Sequence, residues 1–112
     1  MFIASIKDKC FYLDEIQITL KKANLQFAIF QILMNARSRW RIYSTPRNLT
    51  VNQIIEELEK MDRIVLDEKQ VIEAIHKIRK NINKKCGTDI GNEIIESVED
   101  GGYQIGLKVA LI

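Results

Sequence analysis

The sequence predicts an α+β fold in one domain spanning residues 1–112, with N-terminal strands, three helices and a C-terminal β-hairpin. Three observations carry that reading. Apolar residues recur at three- and four-residue spacing over "ANLQFAIFQILMNAR". Two later helices announce their starts with capping residues. The chain closes on two β-rich runs, "EIIESVEDGGYQIGLKVALI", split by Asp100-Gly101-Gly102, where glycine supplies the positive φ of a tight turn.

In chain order, "FYLDEIQITL" has aromatic and β-branched residues on either side of the turn-prone Asp14-Glu15 and reads as a small hairpin. A helical period starts at Lys22, with Leu25, Ala28, Ile29, Ile32, Leu33 and Ala36 on one face. It gives way at "RSRWRIYSTPRN", which holds the only proline, Pro46, and reads as a connecting loop carrying Arg37, Arg39, Arg41 and Arg47. Thr50 and Gln53 form a capping box, with Leu49 before the cap and Ile54 placed to staple against it, so a second helix is expected over 51–61. Asp67 with Gln70 repeats the device and starts a third helix over 68–84, where Leu66 is placed to pack on Val71. A turn at "CGTDIGN" leads to the final hairpin. Met34 and Met61 are expected to fill core space.

A chain of 112 residues, 46% apolar and 29% charged, has the composition of a globular domain. No apolar run approaches the ~18 residues of a membrane span. The N-terminal "MFIASIKDKCFYLDE" lacks the order of a signal peptide, so a cytoplasmic location is expected. Cys10 and Cys86 are too few for a disulfide framework and, with the single histidine, His76, make no metal-ligand spacing. Reduced structural thiols and no metal or cofactor are the expectation.

The net charge of +2 hides an alternation. Residues 1–50 hold eight cations against three anions, 51–75 three against seven, 76–88 five against none, and 89–112 one against five. On the third helix Val71, Ile75, Ile78 and Ile82 form the buried seam. Lys69, Glu73, His76, Lys77, Lys80 and Lys84 then share the opposite side, with Arg79 at the flank. A capped helix, a helix with a basic outer stripe and a hairpin have the build of a winged helix-turn-helix, whose third helix enters the major groove of double-stranded DNA. Cations there displace the counterions of phosphate. His76 has no Ser, Cys or Asp placed by sequence to orient it, so no enzyme is expected. Trp40 and Tyr43, among the arginines, read as packing at the domain edge, with stacking on a base or sugar as the other possibility.

"VIEAIHKIRKNI" resembles the recognition helix of the OmpR/PhoB-type winged-helix effector domains, whose pattern is roughly V-D-x-H-I-x-R-L-R-K-K-L. "IIESVEDGGYQI" is similar to that family's wing, I-x-T-V-R-G-x-G-Y-R-L, and "IQITLKKANLQFAIFQIL" to its strand and first helix. The resemblance implies sequence-specific DNA binding in transcriptional regulation. It puts the base and phosphate contacts on Lys77, Arg79 and Lys80 beside His76, and further contacts on wing residues Ser97, Tyr103 and Gln104. It implies a homodimer on DNA, and contact with RNA polymerase or another regulator through "MDRIVLDE". No receiver domain is expected. Ala74 stands where the family has histidine, and Glu99-Asp100 where it has Arg-Gly. An acidic wing tip is repelled by phosphate, which shifts the backbone contacts toward Arg37, Arg39, Arg41 and Arg47. The alternative is a protein-interaction module that uses the acidic wing and Glu56, Glu57 and Glu59 of the second helix.

Overall fold

A computed structural model of the chain describes residues 2–7, 10–18, 24–61, 67–99 and 101–111. The element order is β1 (Phe2–Lys7), β2 (Cys10–Leu13), β3 (Ile16–Ile18), α1 (Asn24–Tyr43), α2 (Val51–Lys60), α3 (Glu68–Cys86), α4 (Ile90–Ile94), β4 (Ile95–Ser97), β5 (Tyr103–Ile105) and β6 (Val109–Leu111). The fold is α+β. A four-stranded sheet has the order β3-β2-β1-β6, antiparallel except where β6 lies parallel to β1, and β4 and β5 form a separate antiparallel pair.

Strand alternation sets the sheet's two faces. Ala4 pairs with Leu13 and Phe11 with Ile18, and all four side chains are buried. Phe11 stacks on Phe30 of α1 with ring centroids 4.1 Å apart, which seats the sheet on that helix. The expected Asp14-Glu15 hairpin is β2–β3, with Asp14 in the left-handed region at φ 56°. Asp14 also secures β1: its Oδ1 accepts from the Ile3 N–H at 2.9 Å, and its own N–H donates to the Ile3 carbonyl at 2.7 Å.

Both capping expectations for α2 and α3 hold. Thr50 Oγ1 accepts from the Gln53 N–H at 3.1 Å while Gln53 Oε1 accepts from the Thr50 N–H at 2.9 Å, completing the box. Asp67 Oδ1 accepts from the Gln70 N–H at 3.0 Å. Leu66 lies outside the described residues. Val71, Ile75, Ile78 and Ile82 are all fully buried, as the seam requires.

Four expectations need correction. The first helix does not stop near Arg37 but runs to Tyr43, so Arg37, Arg39 and Arg41 are helical rather than in a loop. Nothing in "RSRWRIY" breaks a helix, and the stop comes at Ser44, left-handed at φ 57°, two residues before Pro46. A fourth helix, α4, occupies the region read as a turn. Its apolar content is short, and its position depends on Gly91, where a Cβ would stand 2.5 Å from the Arg79 carbonyl oxygen; α4 rests directly on the backbone of α3. The chain does not end on the hairpin either: β6 leaves it and joins β1. Met61, expected in the core, is 41% exposed at the end of α2, whereas Met34 is buried as expected.

Candidate nucleic-acid interface

α3 separates its apolar and charged residues sharply. Behind the helix lie the buried seam and Ala74, and in front Lys69, Glu73, His76, Lys77, Lys80, Lys84 and Lys85 are exposed. Lys77, Lys80 and Lys84 follow i, i+3, i+7 spacing and cover about 10 Å of one face. Together with Gln26, Asn81, Asn83 and Thr88 they line an open groove of about 590 Å³. A smaller groove of about 230 Å³ continues it toward the helix start, lined by Leu25, Gln26, Gln70, Glu73, Ala74 and Lys77. The two share Gln26 and Lys77, so one trough runs between the start of α1 and the outer face of α3. Gln26 Oε1 is buried at that junction without a hydrogen-bond partner.

The charge in the trough is little neutralised. Lys69 meets Glu73 at 4.0 Å on the exposed surface, an ion pair of at most a few tenths of a kcal/mol. Lys84 and Lys85 sit in the last turn, where the helix dipole favours cations. The helix is fixed from behind. Arg79 is only 8% exposed, and its Nε and Nη2 donate to the Ile95 carbonyl at 3.0 and 2.6 Å, with Nη2 also donating to Ser97 Oγ at 3.0 Å. Its guanidinium lies 5.4 Å from the Tyr103 ring centroid. Burial lowers the Arg79 pKa from its ordinary value, with Tyr103 opposing the shift. Asn83 Oδ1 accepts from the Gly91 N–H at 2.6 Å and so ties α4 to α3.

These contacts redistribute the residues singled out from the sequence. Lys69, His76, Lys77, Lys80 and Lys84 are exposed and stand together on α3. Arg79 does not join them; it faces inward and clamps β4. The three wing residues are also engaged in the fold: Ser97 accepts from Arg79, Tyr103 is 9% exposed and exchanges backbone hydrogen bonds with Leu49, and Gln104 donates to Glu96 at 3.0 Å. Gly101 takes φ 81° in the β4–β5 turn as expected, while Asp100 lies outside the described residues.

The arginines of the first basic region also divide. Arg37 is buried and donates to the carbonyls of Gly106 and Val109 at 2.7 and 2.6 Å, and its pKa is lowered first by burial and then by Arg47 and Arg41. Arg47 donates to the Ile105 carbonyl at 3.3 Å. Arg39 and Arg41 are exposed. Trp40 and Tyr43, read as edge packing, are 36% and 70% exposed.

Sequence reasoning missed Asn81, Thr88 and Gln26 as groove residues. Asn81 was findable, because it follows Lys77 by one helical turn. Gln26 and Thr88 enter only through tertiary packing. Among the described residues no group of three or more His, Cys, Asp or Glu is placed to hold a metal ion, and no helix is long and apolar enough to cross a membrane. No protein-family model matches the chain, and no curated protein or solved structure matches it.

Proposed function

We propose that the chain is a winged-helix domain of the OmpR/PhoB type that binds double-stranded DNA through α3 in transcriptional regulation. The observation that carries this reading is the trough. Lys77, Lys80 and Lys84 present three lysines in line, with Asn81 beside them, on a helix whose back is fixed by a buried seam and by Arg79. Lysines supply the phosphate attraction, and the Asn81 amide is of the type that pairs with an adenine edge in the major groove. The order α2, α3, then the β4–β5 pair supports the winged-helix assignment, as does Leu49, which bridges β5 just before α2. With Ser97 bonded to Arg79 and Tyr103 buried, the wing buttresses α3, and groove contact belongs to the helix. A homodimer on repeated half-sites, contact with RNA polymerase and a cytoplasmic setting accompany this proposal as properties of such regulators.

The test is fluorescence anisotropy of labelled duplexes over a salt series. Lys77→Ala with Lys80→Ala is expected to weaken binding and to reduce the log–log salt slope by about 1.8, the value for two phosphate contacts. A folded chain that binds no duplex at low salt overturns the reading.

The acidic alternative is weaker. It rests on exposed Glu99 at the wing tip and exposed Glu56 and Glu59 of α2, while Glu57 is engaged by Lys60 at 3.3 Å and Asp100 lies outside the described residues.

A further inference from the structure

The far end of α1 carries a surface that α3 does not use. From Ile16 to Ile55 the chain contains no Asp or Glu. Within that span α1 sets exposed Arg39 and Arg41 beside Trp40, Ile42 and Tyr43, whose exposed fractions are 36%, 70% and 70%. At i, i+3 and i+4 spacing Arg39, Ile42 and Tyr43 share one side of the helix, with Trp40 and Arg41 around the same last turn, so two large exposed side chains stand together beside a cation rather than singly. The indole is also held in advance. The Arg37 and Arg47 guanidinium carbons lie 5.8 and 5.3 Å from the Trp40 ring centroid, and both arginines are tied to backbone carbonyls between Ile105 and Val109. A partner meeting Trp40 therefore meets a side chain that needs little ordering. The turn that Arg37 grips carries Leu107, itself 57% exposed.

We infer that this end of α1 docks an acidic segment of a partner protein, one that also offers apolar anchors. Charge complementarity sets the acidic half of that description, because Arg39 and Arg41 are exposed and among the described residues neither is paired with a carboxylate. Composition decides between protein and nucleic acid. Trp, Tyr and Arg are enriched at protein interfaces and Lys is depleted, and the last turn of α1 holds four of the first kind, Arg39, Trp40, Arg41 and Tyr43, and none of the second. The trough on α3 has the opposite make-up, with lysines and amides and no aromatic residue. An isoleucine 70% exposed gains nothing from phosphate but is well suited to an apolar anchor. Gln26 in the trough and Tyr43 at this end are about 25 Å apart along α1, so both surfaces can be occupied at once.

Trp40 is the only tryptophan, so its emission reports on the surface directly. The whole chain is titrated with a short peptide alternating Asp/Glu with Leu/Phe, with polyglutamate, and with a thymidine oligonucleotide. The alternating peptide is expected to change Trp40 emission and to bind at least about tenfold tighter than polyglutamate. Ile42→Ser with Tyr43→Ser, and separately Arg39→Gln with Arg41→Gln, should each weaken it by about tenfold or more, while Lys77→Ala with Lys80→Ala leaves it unchanged. All four replaced side chains are exposed, so the fold persists, and circular dichroism checks that. Unchanged emission at saturating peptide overturns the inference. Equal binding of polyglutamate overturns it as well, and so does an oligonucleotide that displaces the peptide and loses affinity in the Ile42/Tyr43 variant. Duplex anisotropy is a separate readout, so failure of either reading leaves the other standing.

Discussion

α3 and the last turns of α1 are both rich in basic residues in the sequence, yet the fold builds them differently. Each contains one arginine turned inward: Arg79 reaches the Ile95 carbonyl and Arg37 the carbonyls of Gly106 and Val109. Both therefore fasten a helix to the C-terminal strands. A guanidinium suits this work because it offers several N–H donors in a fixed plane and is only weakly hydrated. Around each clamp the remaining cations differ. α3 leaves lysines in solvent beside Asn81, whereas α1 leaves arginines among Trp40, Ile42 and Tyr43. Charge alone thus says little about what a basic segment does. What decides is whether the side chain meets a carbonyl, a ring or water.

The largest expected effect breaks one of the clamps. Arg79→Met keeps the apolar stem but withdraws both donors from the buried Ile95 carbonyl, along with the bond to Ser97 and the contact with Tyr103. Charged hydrogen bonds of this kind are worth roughly 1.5–3 kcal/mol each, so a loss of about 3 kcal/mol is expected in the denaturant midpoint. Arg37→Met should cost less, about 1–2 kcal/mol, because Arg37 Nε is already buried without a partner and Gly106 O keeps the Val109 N–H at 3.1 Å. Equal losses would mean that the two arginines are simply equivalent anchors.

Next in size is Gly91→Ala, which tests whether Arg79 works on a rigid frame. A Cβ at Gly91 would lie 2.5 to 2.8 Å from the Arg79 carbonyl oxygen, Cα and Cβ, so α4 must lift from α3. Overpacking of this order costs about 1–3 kcal/mol. Combined with Arg79→Met, the double variant should lose less than the sum of the two single losses, because both substitutions release the same contact between α3 and the α4–β4 segment. A strictly additive result would separate the glycine from the clamp.

The sequence made legible those features that depend on near neighbours. Thr50 and Gln53, Asp67 and Gln70, the Asp14 turn and the seam from Val71 to Ile82 all follow from residues a few positions apart, and all stand as expected. The arginines did not, because their roles depend on carbonyls 16 positions away for Arg79 and 69 and 72 for Arg37. A helical wheel puts Arg79 beside Lys80 and says nothing of Ile95. The extension of α1 past Arg37 escaped for a related reason: arginines read as loop are also good helix formers, and Arg37 itself gains its bonds only once β5 and β6 have packed against the helix. β6 was hidden too, since its partner β1 is at the other end of the chain and no local turn announces a parallel pairing.

The smallest expected effect concerns the other side of α3, away from its lysines. Cys86 closes the helix, is partly buried against the core, and has its thiol pKa raised, first by burial and then by the Asp14 carboxylate at the β2–β3 turn. The folded chain accordingly holds the thiol proton to a higher pH than the unfolded chain does. Stability from this source is fully present below the unfolded-state value, about 8.5, and is lost as pH rises through the folded-state value. The denaturant midpoint of the native chain should therefore decline on the alkaline side of about pH 8.5, and Cys86→Ala should flatten that decline. Asp14→Asn should flatten it in part, because it removes the second cause while leaving burial intact. At neutral pH iodoacetamide should alkylate Cys86 more slowly than a free cysteine, since the thiolate is the reactive form. An alkaline decline unaltered in Cys86→Ala would place its origin elsewhere.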